Sequence, residues 1–158
     1  MDRIELYLKT AFCCMACDGD IAPEEVAVIE KRPQFAGIEN LKQRLSEYVE
    51  QLKTEGAAFL KRCLDDVKDA SLTEKEELEL ASIVVETIEV DENIEYNEIA
   101  FFKKVRKRLR VSDEKLLTVI QENPKVIDQI TPDDYLLPDF SDENDFSLWT
   151  DTFAQIAV

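Results

Sequence analysis

Seven stretches of this chain repeat their apolar residues at helical spacing, and none sustains the two-residue alternation that a half-buried strand requires. Ile4, Leu8, Ala11, Phe12 and Met15 mark a first helix to about Cys17, broken by Asp18-Gly19-Asp20. Pro23 then sits where a first helical position is wanted, and Glu24 and Glu25 favour a helix N-terminus. This second helix turns Val26 and Ile29 inward and stops near Pro33. Leu41, Leu45, Tyr48 and Leu52 mark a third, and Gly56 separates it from a fourth on Leu60, Leu64 and Val67. Thr73 with Glu76 three residues on forms a capping box that opens a fifth helix, which runs to about Val90. Its stretch Leu80–Val85 is apolar nearly all round, so it is the expected central helix. Ile99, Phe102, Val105 and Leu109 mark the sixth, and Ser112 caps a seventh that ends before Pro124.

The expectation is therefore an all-α fold, a single-domain bundle of about seven helices over residues 1–130. Beyond about Thr131 the periodicity fails, although Leu148–Val158 could close with a short helix. A chain of 158 residues with 45% apolar content can fill one core. No run approaches the roughly 18 apolar residues of a membrane span. The opening Met1-Asp2-Arg3-Ile4-Glu5 does not read as a signal peptide, so the expected compartment is cytoplasmic.

Several chemistries are excluded by composition. Histidine is absent, which removes histidine-based nucleophile activation, imidazole acid–base pairs and histidine-ligated zinc. Only three glycines occur, so no phosphate-cradling loop can form. Cys13, Cys14 and Cys17 crowd one turn while Cys63 lies far off, unlike a disulfide framework. They read as small buried side chains.

One pattern recurs. Asp18-Gly19-Asp20-Ile21 through Glu25 precedes Asp91-Glu92-Asn93-Ile94 through Glu98 by 73 residues, and both read Asp-x-(Asp/Asn)-Ile-x-x-x-Glu between two helices. Two pseudo-repeated helix–turn–helix units follow from it. With Cys17 and Val90 before them, these segments resemble the tellurite-resistance TerB-like family over residues 1 to about 125. That resemblance implies an all-helical bundle of this size, a role in stress response and no catalysed reaction. It further implies a metal-binding role for the acidic residues. Glu92 stands where the first turn has Gly19, and the acidic tail has no counterpart in the family pattern.

Two readings of the turns stand side by side. In the structural one, the aspartates order their own turns, and Glu25 and Glu98 cap helices from the third position. In the other, Asp18, Asp20, Glu25, Asp91, Asn93 and Glu98 converge on a divalent cation, Ca²⁺, Mg²⁺ or Mn²⁺, as oxygen-only ligands favour hard ions. Neither turn is an EF-hand, because the glycine and the bidentate glutamate of that loop are replaced by Pro23 and Ile29, or by Tyr96 and Phe102.

The net charge of −16 opposes nucleic acid. Lys103, Lys104, Arg106, Lys107, Arg108 and Arg110 nevertheless cluster on the sixth helix. They read as a solvated face opposite Phe102, Val105 and Leu109, or as ground for the tail. Residues 131–158 carry seven acids and no base beside Tyr135, Leu136, Phe140, Phe146, Trp149 and Phe153. Such a tail suits docking on a basic, apolar surface, in the same chain, on a second copy or on a protein partner. The function expected is a non-enzymatic binding or scaffold module of the TerB-like kind, with metal-ion binding as the alternative.

Overall fold

The computed structural model describes residues 2–17, 21, 23–90, 96–122, 135–136 and 146. Among them the chain forms seven α-helices, one 3-10 turn and no strand. The helices are α1 (Arg3–Ala16), α2 (Pro23–Lys31), α3 (Leu41–Glu55), α4 (Ala57–Asp69), α5 (Glu74–Glu89), α6 (Tyr96–Arg108) and α7 (Asp113–Glu122), with the 3-10 turn at Pro33–Phe35. This is the all-α bundle that the periodicity implies. No helix among the described residues is long and apolar enough to cross a membrane.

Local chemistry sets the boundaries. The Asp2 carboxylate accepts the Ile4 amide at 3.3 Å and starts α1. Thr73 Oγ1 accepts from the Glu76 amide at 3.2 Å, and Glu76 Oε1 accepts from the Thr73 amide at 2.9 Å, closing the capping box of α5. Ser112 Oγ accepts the Lys115 amide at 3.4 Å at the head of α7. Between α3 and α4 the chain turns on Gly56 alone, at φ 60° and ψ −135°, a conformation that side-chain-bearing residues avoid.

Two helices share the centre. α5 packs on α1, α2, α6 and α7, while α1 packs on α3, α4, α5 and α6. The apolar run of α5 is buried as expected, but α1 is buried just as fully, from Leu6 to Leu8 and from Thr10 to Cys17. Small side chains at Ala11, Cys13, Cys14 and Ala16 leave room for neighbouring helices on every side. The two hydroxyls in that run donate to carbonyls, Thr10 to that of Leu6 at 2.7 Å and Tyr7 to that of Glu76 at 3.0 Å. Phe12, Tyr48 and Phe59 join α1, α3 and α4, with ring centroids 5.4–6.2 Å apart. The Lys9 ammonium rests over two of these rings.

The 73-residue offset survives in the architecture. α1 ends at Ala16 and α5 at Glu89, while α2 begins at Pro23 and α6 at Tyr96. Equivalent core positions are buried alike: Val26 with Ile99, and Ile29 with Phe102. Arg3 and Glu76, themselves equivalent, form an ion pair at 2.8 Å. The sixth and seventh helices meet over a buried carboxylate. Glu77 Oε1 accepts the Arg110 and Val111 amides at 2.8 and 2.9 Å. Those amides lie just past the end of α6, where the chain has left the helical path, and the carboxylate supplies their acceptor.

Candidate functional site

The two acidic turns connect α1 to α2 and α5 to α6. The start of α6 is fastened to the end of α1, because Asn97 Nδ2 donates to the Cys17 carbonyl at 3.1 Å. Cys17 immediately precedes the first turn, and Asn97 closely follows the second. Ile21, the apolar anchor of the first turn, is buried.

Of the six candidate ligands, two lie among the described residues. Glu25 and Glu98 occupy the third positions of α2 and α6, and both are fully buried. Asp18, Asp20, Asp91 and Asn93 lie outside the described residues, as do Gly19 and Glu92. Among the described residues no three acidic or cysteine side chains are grouped to hold a metal ion.

An internal comparison shows how unusual the burial is. Glu76 is also a third-position glutamate, and it caps α5 with its side chain 23% exposed. Capping thus needs no complete withdrawal from water. Removing a carboxylate from water costs several kcal/mol unless its neighbours compensate, so full burial at both equivalent positions sets Glu25 and Glu98 apart from the partly exposed cap at Glu76.

A third carboxylate lies at the same junction. Glu89, the last residue of α5, is 3% exposed, and Tyr135 donates its hydroxyl to Glu89 Oε1 at 2.8 Å. The Tyr135 ring meets Phe102 edge to face at 5.3 Å. Burial first, and then the nearby carboxylates of Glu89 and Glu98, push this phenol far above its usual range, so it stays a donor. The spacing pattern does not single out Glu89 or Tyr135. Asn97 stands in the recurring segment itself, and its amide could have been picked out as a bridge between the turns.

Tyr135, Leu136 and Phe146 are the described residues of the tail, and each touches α6. Arg106 Nη1 donates to the Leu136 carbonyl at 3.1 Å, and the Lys104 ammonium lies 5.7 Å from the centre of the Phe146 ring. Arg106 also grips Asp113 with two bonds, at 2.9 and 2.8 Å. Lys104 and Arg108 are 3% and 7% exposed, so the basic stretch is not a uniformly solvated face. Of its six cations, Lys107 and Arg110 are exposed, and Arg110 still donates to the Leu72 carbonyl at 2.9 Å. Trp149 and the expected helix at Leu148–Val158 lie outside the described residues.

All four cysteines are free and buried, as small core side chains. Cys63, remote in sequence, comes to lie 3.6 Å from Thr10 and beside Cys13. Burial raises the Cys13 thiol well above its ordinary range, so it remains protonated. No family model, curated protein or solved structure matches this chain.

Proposed function

We propose that this chain is a non-enzymatic binding module of the kind its TerB-like resemblance implies, acting in a stress response, with a divalent cation as the ligand of its paired acidic turns. The observation that carries the reading is the full burial of Glu25 and Glu98 at equivalent positions 73 residues apart. The bond from Asn97 to Cys17, which holds the start of α6 on the end of α1, supports it further. Glu25 with Asp18 and Asp20, and Glu98 with Asp91 and Asn93, make an oxygen-only donor set suited to Ca²⁺, Mg²⁺ or Mn²⁺. An ion there would offset the mutual repulsion of the carboxylates and tie the two helix–turn–helix units together. The cytoplasm, where four free thiols persist, is the compartment that fits. Nucleic acid is an unsuitable partner for a chain of charge −16.

Thermal melting of the full chain with and without Ca²⁺ or Mn²⁺ tests this. An ion bound only by the folded state, at about 100 times its Kd, stabilises by roughly 2.7 kcal/mol. For a chain of this length that raises Tm by roughly 5–11 °C. No shift at millimolar ion would leave the turns purely structural.

A further inference from the structure

Sulfur sits at the seam between α1 and α4, which pack on each other. Thr10 and Cys13 stand one turn apart on the same face of α1. Cys63 of α4 comes up to both, with its sulfur 3.6 Å from Thr10 Oγ1 and beside the Cys13 thiol. The other two thiols are engaged elsewhere. Cys17 donates to the Cys13 carbonyl at 3.1 Å, and Cys14, about 100° round the helix from Cys13, lies near Tyr135. Cys13 and Cys63 are thus the thiols that meet across two helices. Their surroundings differ from those of an inert core pair. Contact with Cys13 first, and then the Thr10 hydroxyl and the Lys9 ammonium, hold the Cys63 thiol below its ordinary range against its burial and the Asp66 carboxylate. Cys13 is shifted the other way, so one sulfur is disposed to attack and the other to keep its proton. The pair lies just beneath the surface, since Arg62 beside Cys63 is exposed and Lys9 and Asp66 are half-buried.

We propose that Cys13 and Cys63 are a site of reversible oxidation, joined as a disulfide between α1 and α4 by hydrogen peroxide. The Cys63 sulfur attacks one peroxide oxygen. An S–O bond forms, the O–O bond breaks, and the departing oxygen leaves as water with the Cys63 proton. The Cys13 sulfur then attacks the Cys63 sulfenic acid. The S–S bond forms, the S–O bond breaks, and the second oxygen leaves as water with the Cys13 proton. The two thiols lose two electrons, and one hydrogen peroxide becomes two waters. A thiol reductant reverses the change by exchange. The disulfide is uncharged, so it suits this buried seam better than a thiolate does. It pins α1, from whose end the first acidic turn departs, to α4, and closes a loop of about 50 residues. Limiting the unfolded chain in this way raises Tm by on the order of 10 °C. The proposal does not rest on cation binding, since it uses neither acidic turn.

The test is intact-mass spectrometry of the full chain, reduced and then exposed to hydrogen peroxide with EDTA present, followed by peptide mapping. Wild type should lose about 2 Da, the two thiol hydrogens, and dithiothreitol should restore the mass. Mapping should place the link between Cys13 and Cys63, and the oxidised chain should melt on the order of 10 °C above the reduced one. Cys13→Ala leaves the Cys63 sulfenic acid without a second thiol, so dimedone should trap it on Cys63. Cys63→Ala should give neither the link nor a dimedone adduct on Cys13. Circular dichroism checks that both variants fold, and the mapping of wild type decides the matter without any substitution. A link mapped to Cys14 or Cys17 would overturn the proposal. So would a folded chain that keeps four free thiols in peroxide while the urea-unfolded chain is oxidised. An oxidised chain that melts no higher than the reduced one would overturn the pinning of α1 to α4.

Discussion

Tyr135→Phe isolates one hydrogen bond at the junction of α5, α6 and the tail. The ring and its edge-to-face contact with Phe102 are kept, so buried apolar area hardly changes. What is lost is the hydroxyl that donates to Glu89 Oε1 at 2.8 Å, in a place where Tyr135 is 0% and Glu89 3% exposed. A hydrogen bond to a charged group contributes roughly 1.5–3 kcal/mol when one partner is removed and the other stays buried. At roughly 2–4 °C per kcal/mol for a chain of this length, Tm should fall by about 3–12 °C. Calorimetry at neutral pH measures it cleanly, because the phenol, raised far above its ordinary range, is protonated throughout. A loss below about 0.5 kcal/mol, the level of an ordinary surface substitution, would show that Glu89 does not depend on this hydroxyl. The seating of Tyr135 described above would then be wrong.

Gly56→Ala should cost about 1–3 kcal/mol in urea unfolding, because the backbone there sits at positive φ while the space for a Cβ is open. A neutral result would mean that the α3–α4 corner relaxes into an ordinary conformation. Thr73→Ala should cost about 1 kcal/mol through the lost cap of α5. The Thr73 amide first, and then Arg3, hold the Glu76 carboxyl below its ordinary value of 4.5. Its stabilising contribution is therefore complete above that value and fades as pH falls through the lower folded value. Urea midpoints of wild type and Glu76→Gln should accordingly differ at neutral pH and converge only in that acid range; a gap independent of pH would refute the assignment.

The parts legible in the sequence are those fixed within a turn or two of the chain. Thr73 with Glu76, Ser112, Pro23 and Gly56 act on their own neighbours, so helix boundaries fell close to the observed ones. The spacing of Glu25 and Glu98 within the recurring segment gave their third-position placement for the same reason. Burial of α1 on all sides was less visible, because Thr10 and the cysteines read as neither clearly polar nor clearly apolar, and their surroundings come from α4, α5 and α6. Lys104 and Arg108 misled for a related reason. A helix face is solvated or covered according to what packs on it, and Tyr135 and Phe146 arrive from a segment with no periodic signal. Glu77 and Glu89 are buried by partners 33 and 46 residues away, at Arg110 and Tyr135. No local pattern encodes such pairs.

Central to the account is that the two acidic turns act as one site, so the most direct measurement is the number of Mn²⁺ ions bound per chain. Electron paramagnetic resonance of the free ion counts them in the full-length protein. Wild type, Glu25→Gln and Glu98→Gln would be titrated side by side, with circular dichroism confirming that each is folded. The account predicts one ion per chain, lost on changing either glutamate, because both contribute to the same cation. Two ions lost one at a time, or no binding to wild type at millimolar Mn²⁺, would contradict it.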